Sequence, residues 1–282
     1  MTGTALILNP SHRWAARAEA ALQKLTRIRT YQTTPESPGS EQTRQALEDG
    51  CDAVVVAGGD GTVRLVAGVL AGTEVPLGIL PTGTACIYAR NLGLPRRLKA
   101  LRRALRGRIV RADIGWAKID AQPPTPFLVA CGMGRDAEAI AQVSSRLKRR
   151  IGWLAYADAG FRVLQRRPMH LQVNGEPVAA WSVLVGNVGR LPLAHLFPGA
   201  RPDDALLHAI RIWPERPGHW LGITARGLLH DPRPAARLER WESTHVEVCS
   251  PAPAPVHVDG DLMPPARRLH LSIQPGAVLI RR

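Results

Sequence analysis

Short, continuously apolar runs alternate with amphipathic segments along the first third of the chain. Buried β-strands are predicted for four runs: Ala5–Leu8, Ile28–Tyr31, Val54–Ala57 and Leu77–Leu80. Helices are predicted for four longer segments: Arg13–Thr26, Ser40–Asp49, Val63–Leu70 and Arg96–Arg106. Strands that are apolar throughout and alternate with helices are typical of a parallel sheet covered on both faces. We therefore expect a doubly wound α/β domain over residues 1–113.

The pattern changes near residue 113, where strand-like segments begin to dominate. The predicted strands are Ile109–Ile114, Phe127–Ala130, His170–Val173, Ala180–Gly186, Leu206–Ile212, Thr244–Cys249, Val256–Val258, Leu269–Ile273 and Val278–Ile280. Two helices are predicted, over Asp136–Arg149 and Pro217–His230, and Asn174-Gly175 is a strong hairpin signal. The proline-rich stretches Gln122–Pro126 and Pro251–Pro255 are predicted to be loops. Residues 114–282 should form a β-rich, mostly antiparallel, sandwich-like domain.

Composition excludes several classes of protein. With 282 residues, 45% of them hydrophobic, the chain can bury a substantial core and is not disordered as a whole. Its four cysteines are widely spaced, which argues against a zinc site or a disulfide framework and favours a reducing compartment. Because no apolar run approaches the ~18 residues of a membrane span, and the N-terminus does not resemble a signal peptide, we expect a soluble, cytoplasmic protein.

The charge balance indicates an anionic partner. Lys and Arg number 37 against 23 Asp and Glu, a formal net charge of +14. Nucleic acid is disfavoured because aromatic content is 5% and no nucleic-acid motif occurs. The basic faces of Arg96–Arg106 and Arg146–Arg150, the latter followed by Trp153, are interpreted as solvated surfaces or as docking sites for an anionic membrane.

The most informative motif is Gly58-Gly59-Asp60-Gly61-Thr62, which follows a buried strand and precedes an apolar helix. Its glycines let the backbone approach a ligand, and a helix N-terminus offers free N–H groups to phosphate. An ordinary strand-to-helix turn capped by Asp60 is the alternative. A carboxylate beside phosphates would be consistent with an intervening Mg²⁺.

A second loop of similar design, Pro81-Thr82-Gly83-Thr84, follows the next predicted strand. In a parallel sheet both loops leave at the carboxyl ends of the strands, where open α/β sheets bind ligands. Two such loops together are a more specific signal for a phosphate site than either alone.

These two motifs, GGDGT and PTGT followed by ARNLGLP, resemble the catalytic domain of the diacylglycerol kinase family, which includes sphingosine kinases and bacterial lipid kinases. The resemblance implies a nucleotide-binding α/β domain, a β-rich domain, and transfer of the γ-phosphoryl group of ATP to a lipid hydroxyl with Mg²⁺. It extends over nearly the whole chain, including Asp113-Ile114-Gly115.

The same resemblance implies the site residues. Nucleotide-binding positions would be Asn9, Pro10, Thr34, Gly58, Gly59, Asp60, Gly61, Thr62, Gly83 and Thr84. A structural Mg²⁺ would be bound by the Asp204 carboxylate and the carbonyl groups of Arg201 and Leu206. Asp261, with Asp259 as a second candidate, would be the catalytic base. From the residues alone, a solvated turn at Asp203-Asp204 and a plain Asp-Gly hairpin remain alternatives.

Departures from the family pattern leave other functions open. Arg64-Leu65 and Cys86-Ile87 replace polar pairs, and Ala205 replaces a common glycine. A pseudokinase that binds nucleotide or lipid as a regulatory module is one alternative, and an NAD kinase, which shares GGDGT, is another. The expected partners are a lipid substrate and an anionic membrane surface bound peripherally, without nucleic acid. The sequence leaves a homodimer open.

Overall fold

The structure is a computed structural model and describes residues 3–12, 14–142, 166–191, 195–228 and 236–282. The chain divides into two compact units, one of Met1–Ile114 with Gln274–Arg282 and one of Gly115–Ile273. The first boundary lies within two residues of the predicted one. The end of the chain differs from the prediction, because residues 274–282 belong to the first unit rather than to the second.

In the first unit, strands and helices alternate as the apolar pattern predicts. The strands are β1 (Gly3–Leu8), β2 (Ile28–Gln32), β3 (Cys51–Gly58) and β4 (Leu77–Pro81), and β5 (Ile109–Ile119) leads into the second unit. The helices are α1 (Ala15–Gln23), α2 (Ser40–Glu48), α3 (Asp60–Leu70), α4 (Ile87–Asn91) and α5 (Leu101–Arg106), with a 3-10 helix at Arg97–Ala100.

The second unit is built mainly from strands. They are β6 (Thr125–Phe127), β7 (Ala130–Gly134), β8 (Met169–Val173), β9 (Glu176–Ala180), β10 (Ser182–Gly186), β11 (Leu207–Ile212), β12 (Leu238–Ser243), β13 (His245–Val258) and β14 (Asp261–Arg281). Two helices accompany them, α6 (Arg135–Gln142) and α7 (Pro217–Leu228).

The first unit contains a parallel sheet with the strand order β14-β4-β3-β1-β2. On one face, Leu6, Val55 and Leu80 pack against helices α1 and α5. Alternate residues such as Ile7 and Val56 are fully buried on the opposite face, where α2 and α3 contact β3. The predicted doubly wound sheet is therefore confirmed.

Antiparallel pairing prevails in the second unit, in the order β12-β11-β10-β7-β13-β14. Strands β8 and β9 form the predicted hairpin, with Asn174 and Gly175 at φ angles of 51° and 87°. Two consecutive positive φ angles are what a two-residue hairpin needs. The prediction of an antiparallel β domain is confirmed.

Strand β13 corrects the prediction for the proline-rich stretch Pro251–Pro255, which lies inside the strand rather than in a loop. The register between β13 and β14 shifts in this region, after Cys249. Proline lacks an N–H and is tolerated where a ladder is interrupted. The shift lets the strand change partners, since Val248 pairs with β8 and Val258 with β7.

Helix α6 begins at Arg135, next to the predicted start at Asp136, and is described as far as Gln142. Residues 143–165 lie outside the described part of the chain, and so does the predicted basic segment Arg146–Arg150 with Trp153. Where the structure describes the chain, no helix combines the length and the apolar character needed to cross a membrane.

Candidate functional site

Four loops that carry the predicted nucleotide-binding residues lie at one edge of the parallel sheet. Asn9 and Pro10 follow β1, Thr34 lies just beyond β2, Gly58 closes β3, and the residues after Pro81 follow β4. These four strands are parallel neighbours, so their carboxyl ends share one edge. This edge is where an open α/β sheet binds its ligand.

Two glycines bring the β3 and β4 loops into direct backbone contact. The carbonyl of Gly58 accepts the N–H groups of Thr82 and Gly83, each at 3.2 Å. A β-carbon on Gly83 would lie 2.5 Å from the α-carbon of Gly59, closer than atoms can approach. A β-carbon on Gly59 would instead meet ordinary contacts, 3.7 Å from Gly83 and 3.9 Å from His12 Nε2. A methyl group would therefore fit on Gly59, with Gly83 and His12 as its nearest neighbours, and we call the backbone around Gly59 and Gly83 the cradle.

Asp60 links the two loops by hydrogen bonds. Its Oδ2 accepts the N–H of Ile87 and its Oδ1 the N–H of Tyr88, both at 3.0 Å. These donors are the first residues of α4, so Asp60 caps that helix from a distant part of the chain. The carboxylate predicted to face phosphate or metal therefore also organises the second loop.

Cys86 occupies the cap position of α4 in the left-handed conformation, with φ 46°. Its thiol donates to the carbonyl of Gly83 at 3.3 Å. Burial, and secondarily the negative charge of Asp60, raise the pKa of Cys86 to about 11. The side chain is accordingly a neutral thiol that supports the loop.

The β1 loop presents a residue that the sequence analysis did not select. Asn9 Oδ1 accepts the backbone N–H of Ser11 at 3.0 Å and its hydroxyl at 2.6 Å, which closes a tight turn. This turn carries His12 to the rim of the cradle. Burial lowers the pKa of His12, which favours a neutral imidazole at pH 7. His12 belongs to none of the sequence motifs, so only the folded geometry identifies it.

The remaining threonines have different environments. Thr62 is buried, and its side chain fills the space beside Gly58, where a β-carbon would lie 2.9 Å from it. Thr34 is exposed, and its hydroxyl oxygen accepts the N–H of Ser37 at 3.1 Å. Thr84 is also exposed. The arrangement leaves Thr34 and Thr84 accessible and gives Thr62 a packing position.

In the second unit, Asp259 and Gly260 form a hairpin turn with φ angles of 50° and 86°. Asp259 Oδ1 accepts the N–H groups of Val129 at 2.8 Å and Ala130 at 2.9 Å, and its Oδ2 accepts that of Leu128 at 2.9 Å. The predicted strand Phe127–Ala130 is interrupted here, because a side chain rather than a neighbouring strand takes these N–H groups. Asp259 therefore anchors the turn.

Asp261, the other acidic residue of this turn, is the first residue of β14 and is exposed. It stands directly after the anchored hairpin, so its backbone position is well fixed. The two aspartates thus differ: the Asp259 carboxylate is directed into the unit, while Asp261 has a carboxylate that solvent can reach.

The predicted metal loop is held by hydrogen bonds around Asp204. Its Oδ2 accepts the N–H of Arg201 at 2.8 Å and lies 2.9 Å from His208 Nε2, and its Oδ1 accepts the N–H of Leu206 at 3.1 Å. Ala205 adopts φ 61°, a conformation suited to glycine.

The groups around Asp204 do not fit a bound Mg²⁺, which prefers several oxygen ligands. The loop offers two carboxylates: backbone N–H groups and an imidazole bind the oxygens of Asp204, and the Arg201 guanidinium binds Asp203 Oδ1. Among the residues that the structure describes, no three His, Cys, Asp or Glu side chains are grouped so that they could hold a metal.

Comparison with known proteins identifies the family. The model of the diacylglycerol kinase catalytic domain matches residues 6–117. A Stenotrophomonas maltophilia protein named "Probable lipid kinase YegS-like" is 31% identical over 256 residues, which cover 83% of this chain and 80% of that protein. The chain belongs to the diacylglycerol kinase family.

A further sequence relative and a solved structure are also similar to the chain. The Staphylococcus carnosus protein named "Diacylglycerol kinase" is 28% identical over 244 residues, covering 82% of this chain and 77% of that protein. The crystal structure of a "putative diacylglycerol kinase" from Bacillus anthracis superposes with a TM-score of 0.75 at 20% identity, covering 99% of this chain and 94% of that one. At that identity the structural match shows a shared fold.

Proposed function

We propose that this protein transfers the γ-phosphoryl group of ATP to a hydroxyl group of a lipid. The proposal is carried by the cradle formed where the Gly59 and Gly83 loops meet at the carboxyl edge of the parallel sheet. Membership in a family of kinases supports it.

The chemistry of the cradle suits a polyphosphate. Helix α3 begins at Asp60 directly after Gly58 and Gly59, and the positive dipole end of a helix favours anionic oxygen. Asp60 is partly compensated by the N–H groups of Ile87 and Tyr88, which lessens its repulsion of phosphate. Mg²⁺ would enter as part of the ATP complex and neutralise charge on the transferred group.

Asp261 is the better candidate for the base. A base must accept a proton from the acceptor hydroxyl, and the exposed carboxylate of Asp261 can be reached from solvent. The carboxylate of Asp259 already accepts three backbone N–H groups, which suits this residue to positioning the turn instead. In the step, the lipid oxygen loses its proton to Asp261 and bonds to the γ-phosphorus. The bond from that phosphorus to the bridging oxygen breaks, and ADP leaves.

A peripheral encounter with an anionic membrane would deliver the substrate. Helix α5 packs Leu101 and Leu105 against the core and exposes Arg102, Arg103 and Arg106. Because the leucines are engaged, we propose electrostatic binding without insertion. Sedimentation with anionic and neutral vesicles tests this part, and equal binding to both would refute it. Binding to anionic vesicles should weaken as salt is raised.

The deciding experiment incubates the protein with ATP labelled at the γ-phosphate, Mg²⁺ and a total lipid extract, with NAD in a parallel reaction. We expect label in a lipid, and much less with the Asp261→Asn variant. Label in NAD alone would indicate an NAD kinase. ATP binding by calorimetry without transfer to any acceptor would indicate a pseudokinase, for which the supporting observation is that Cys86 and Arg64, at two positions that depart from the family pattern, are buried.

A further inference from the structure

A buried chain of polar side chains ends at the Asp259-Gly260 turn. The hydroxyl of Ser182 donates to Asp136 Oδ1, and Asp136 Oδ2 lies 2.6 Å from His257 Nε2. The other ring nitrogen of the histidine, Nδ1, accepts the N–H of Gly260 at 3.4 Å. Ser182 is fully buried, and the side chains of His257 and Asp136 are 7% and 13% exposed. Nothing in the proposed chemistry so far uses these three side chains.

Three elements of the second unit bring the chain together. Ser182 begins β10, Asp136 lies in the first turn of α6, and His257 stands near the end of β13. Asp136 is held a second time, because its backbone N–H donates to the Ser182 oxygen at 2.9 Å. Gly132 makes the room: a β-carbon there would lie 2.8 Å from Asp136 Oδ2 and 3.0 Å from His257 Nε2. Only a residue without a side chain permits this contact.

The contacts assign the protons. We assign the imidazole proton to Nε2, because the Asp136 carboxylate lies 2.6 Å from that nitrogen and the N–H of Gly260 needs the lone pair of Nδ1. In a neutral imidazole the lone pair then lies on Nδ1, where it can accept the N–H of Gly260. The serine hydroxyl donates to the carboxylate rather than to the imidazole, so this is not the arrangement that activates a serine nucleophile.

We propose that His257, oriented by Asp136 and Ser182, is a positioning residue that holds Gly260 and thereby fixes the carboxylate of Asp261. The turn is then secured on two sides, by the Asp259 carboxylate and by the imidazole. The catalytic meaning of this arrangement rests on the proposed kinase function. Its structural meaning, that the imidazole restrains Gly260, does not.

Two substitutions of His257 test the roles of its two ring nitrogens separately. Asparagine places an amide oxygen near the position of Nδ1 and keeps an acceptor for Gly260, whereas glutamine reaches the position of Nε2 and keeps a donor to Asp136. We expect His257→Gln to lower kcat about tenfold or more with an unchanged KM for ATP, since misplacing a catalytic group by ~1 Å can cost 10²-fold. His257→Asn should retain most of kcat.

Amide hydrogen exchange at Gly260 provides a readout that needs no activity. Exchange should be faster in His257→Gln than in His257→Asn, although both lose one hydrogen bond. Asp136→Asn should behave like His257→Gln, because the amide donor would drive the ring proton to Nδ1. Ser182→Ala, a milder change, serves if a histidine variant fails to fold.

Equal exchange at Gly260 in the two histidine variants, or equal kcat, would overturn the proposal. If the Ser182→Ala variant is the one that must be used, unchanged exchange at Gly260 would overturn it as well. If the wild-type protein transfers no phosphoryl group, the kinase proposal fails while the exchange comparison still decides whether His257 holds the turn.

Discussion

Asp60 in the first unit and Asp259 in the second both hold another segment of the chain in place through its backbone N–H groups. Each stands next to a glycine in a loop, and each uses its carboxylate to bind consecutive backbone N–H groups of another segment: Ile87 and Tyr88 for the first, Leu128 to Ala130 for the second. Charge-assisted bonds of this kind are among the stronger hydrogen bonds in proteins.

The difference lies in what each anchor leaves exposed. Around Asp60 the neighbouring residues are glycines and a helix start, which offer N–H donors to an anion. After Asp259 comes a second carboxylate, Asp261, which offers an acceptor to a proton. The comparison teaches that an acidic residue in a glycine turn can hold another segment through its backbone N–H groups, while the residues around it present a different chemical group.

The largest effect should come from Asp261→Asn, which removes the proposed base but keeps its size. Because general-base catalysis contributes about 10²–10⁴-fold, kcat should fall by that factor. ATP affinity, measured by calorimetry, should change little, since Asp261 has no proposed contact with the nucleotide. Full lipid-phosphorylating activity in this variant would make the turn purely structural.

Asp259→Ala should mainly reduce stability. It leaves three N–H groups without their acceptor, and each unsatisfied group costs ~1–3 kcal/mol, less where water can reach it. Urea denaturation should show that the free energy of unfolding falls by about 3 kcal/mol. The fall should be smaller for Asp60→Ala, which leaves two N–H groups at a helix start without their acceptor. A larger loss for Asp60→Ala would reverse the comparison.

Gly59→Ala tests the cradle with little disturbance of the fold. The φ of Gly59 is −94°, which any residue can adopt, and the added methyl group meets contacts of 3.7 Å or longer. Calorimetry should show ATP affinity reduced about tenfold, or ~1.4 kcal/mol, with an unchanged unfolding midpoint. Gly3→Ala, which adds a methyl group to open space in β1, is the matched control. If Gly59→Ala binds ATP as tightly as the wild type, the cradle is not the phosphate-binding site.

The smallest effect should follow Ala205→Gly in the loop around Asp204. Ala205 has a φ of 61°, a conformation that costs a residue with a β-carbon ~1 kcal/mol, and glycine relieves it at some entropic cost. We expect a net gain of about 0.5 kcal/mol in the free energy of unfolding. The gain should be the same with and without a chelator, because hydrogen bonds rather than a metal hold the loop; a chelator-dependent result would contradict this.

Much of the fold could be predicted because it depends on local patterns. The apolar runs at Val54–Ala57 and Leu77–Leu80 predicted central strands, and Asn174-Gly175 predicted its hairpin. The prediction for the proline-rich Pro251–Pro255 was wrong, since its strand is imposed by the paired segments before and after it and not by local propensity.

The site was less predictable because its geometry depends on distant segments. The motifs identified Asp60 and Asp259 as important residues, but not that their carboxylates bind backbone N–H groups far along the chain. His257 escaped notice because its partners, Asp136 and Ser182, follow no sequence spacing. Side-chain direction, which requires the folded chain, separates an anchoring acid from a reactive one.

The last strand has a consequence for biosynthesis. Because Ile280 pairs with Leu77 at the edge of the parallel sheet, the first unit gains this strand only after the whole second unit has been translated. A nascent N-terminal segment therefore carries β4 as an unpaired edge while the second unit is being translated. Pairing over such a long sequence separation is slow, so β14 should join β4 late, and until then the open edge of β4 is exposed to wrong pairing.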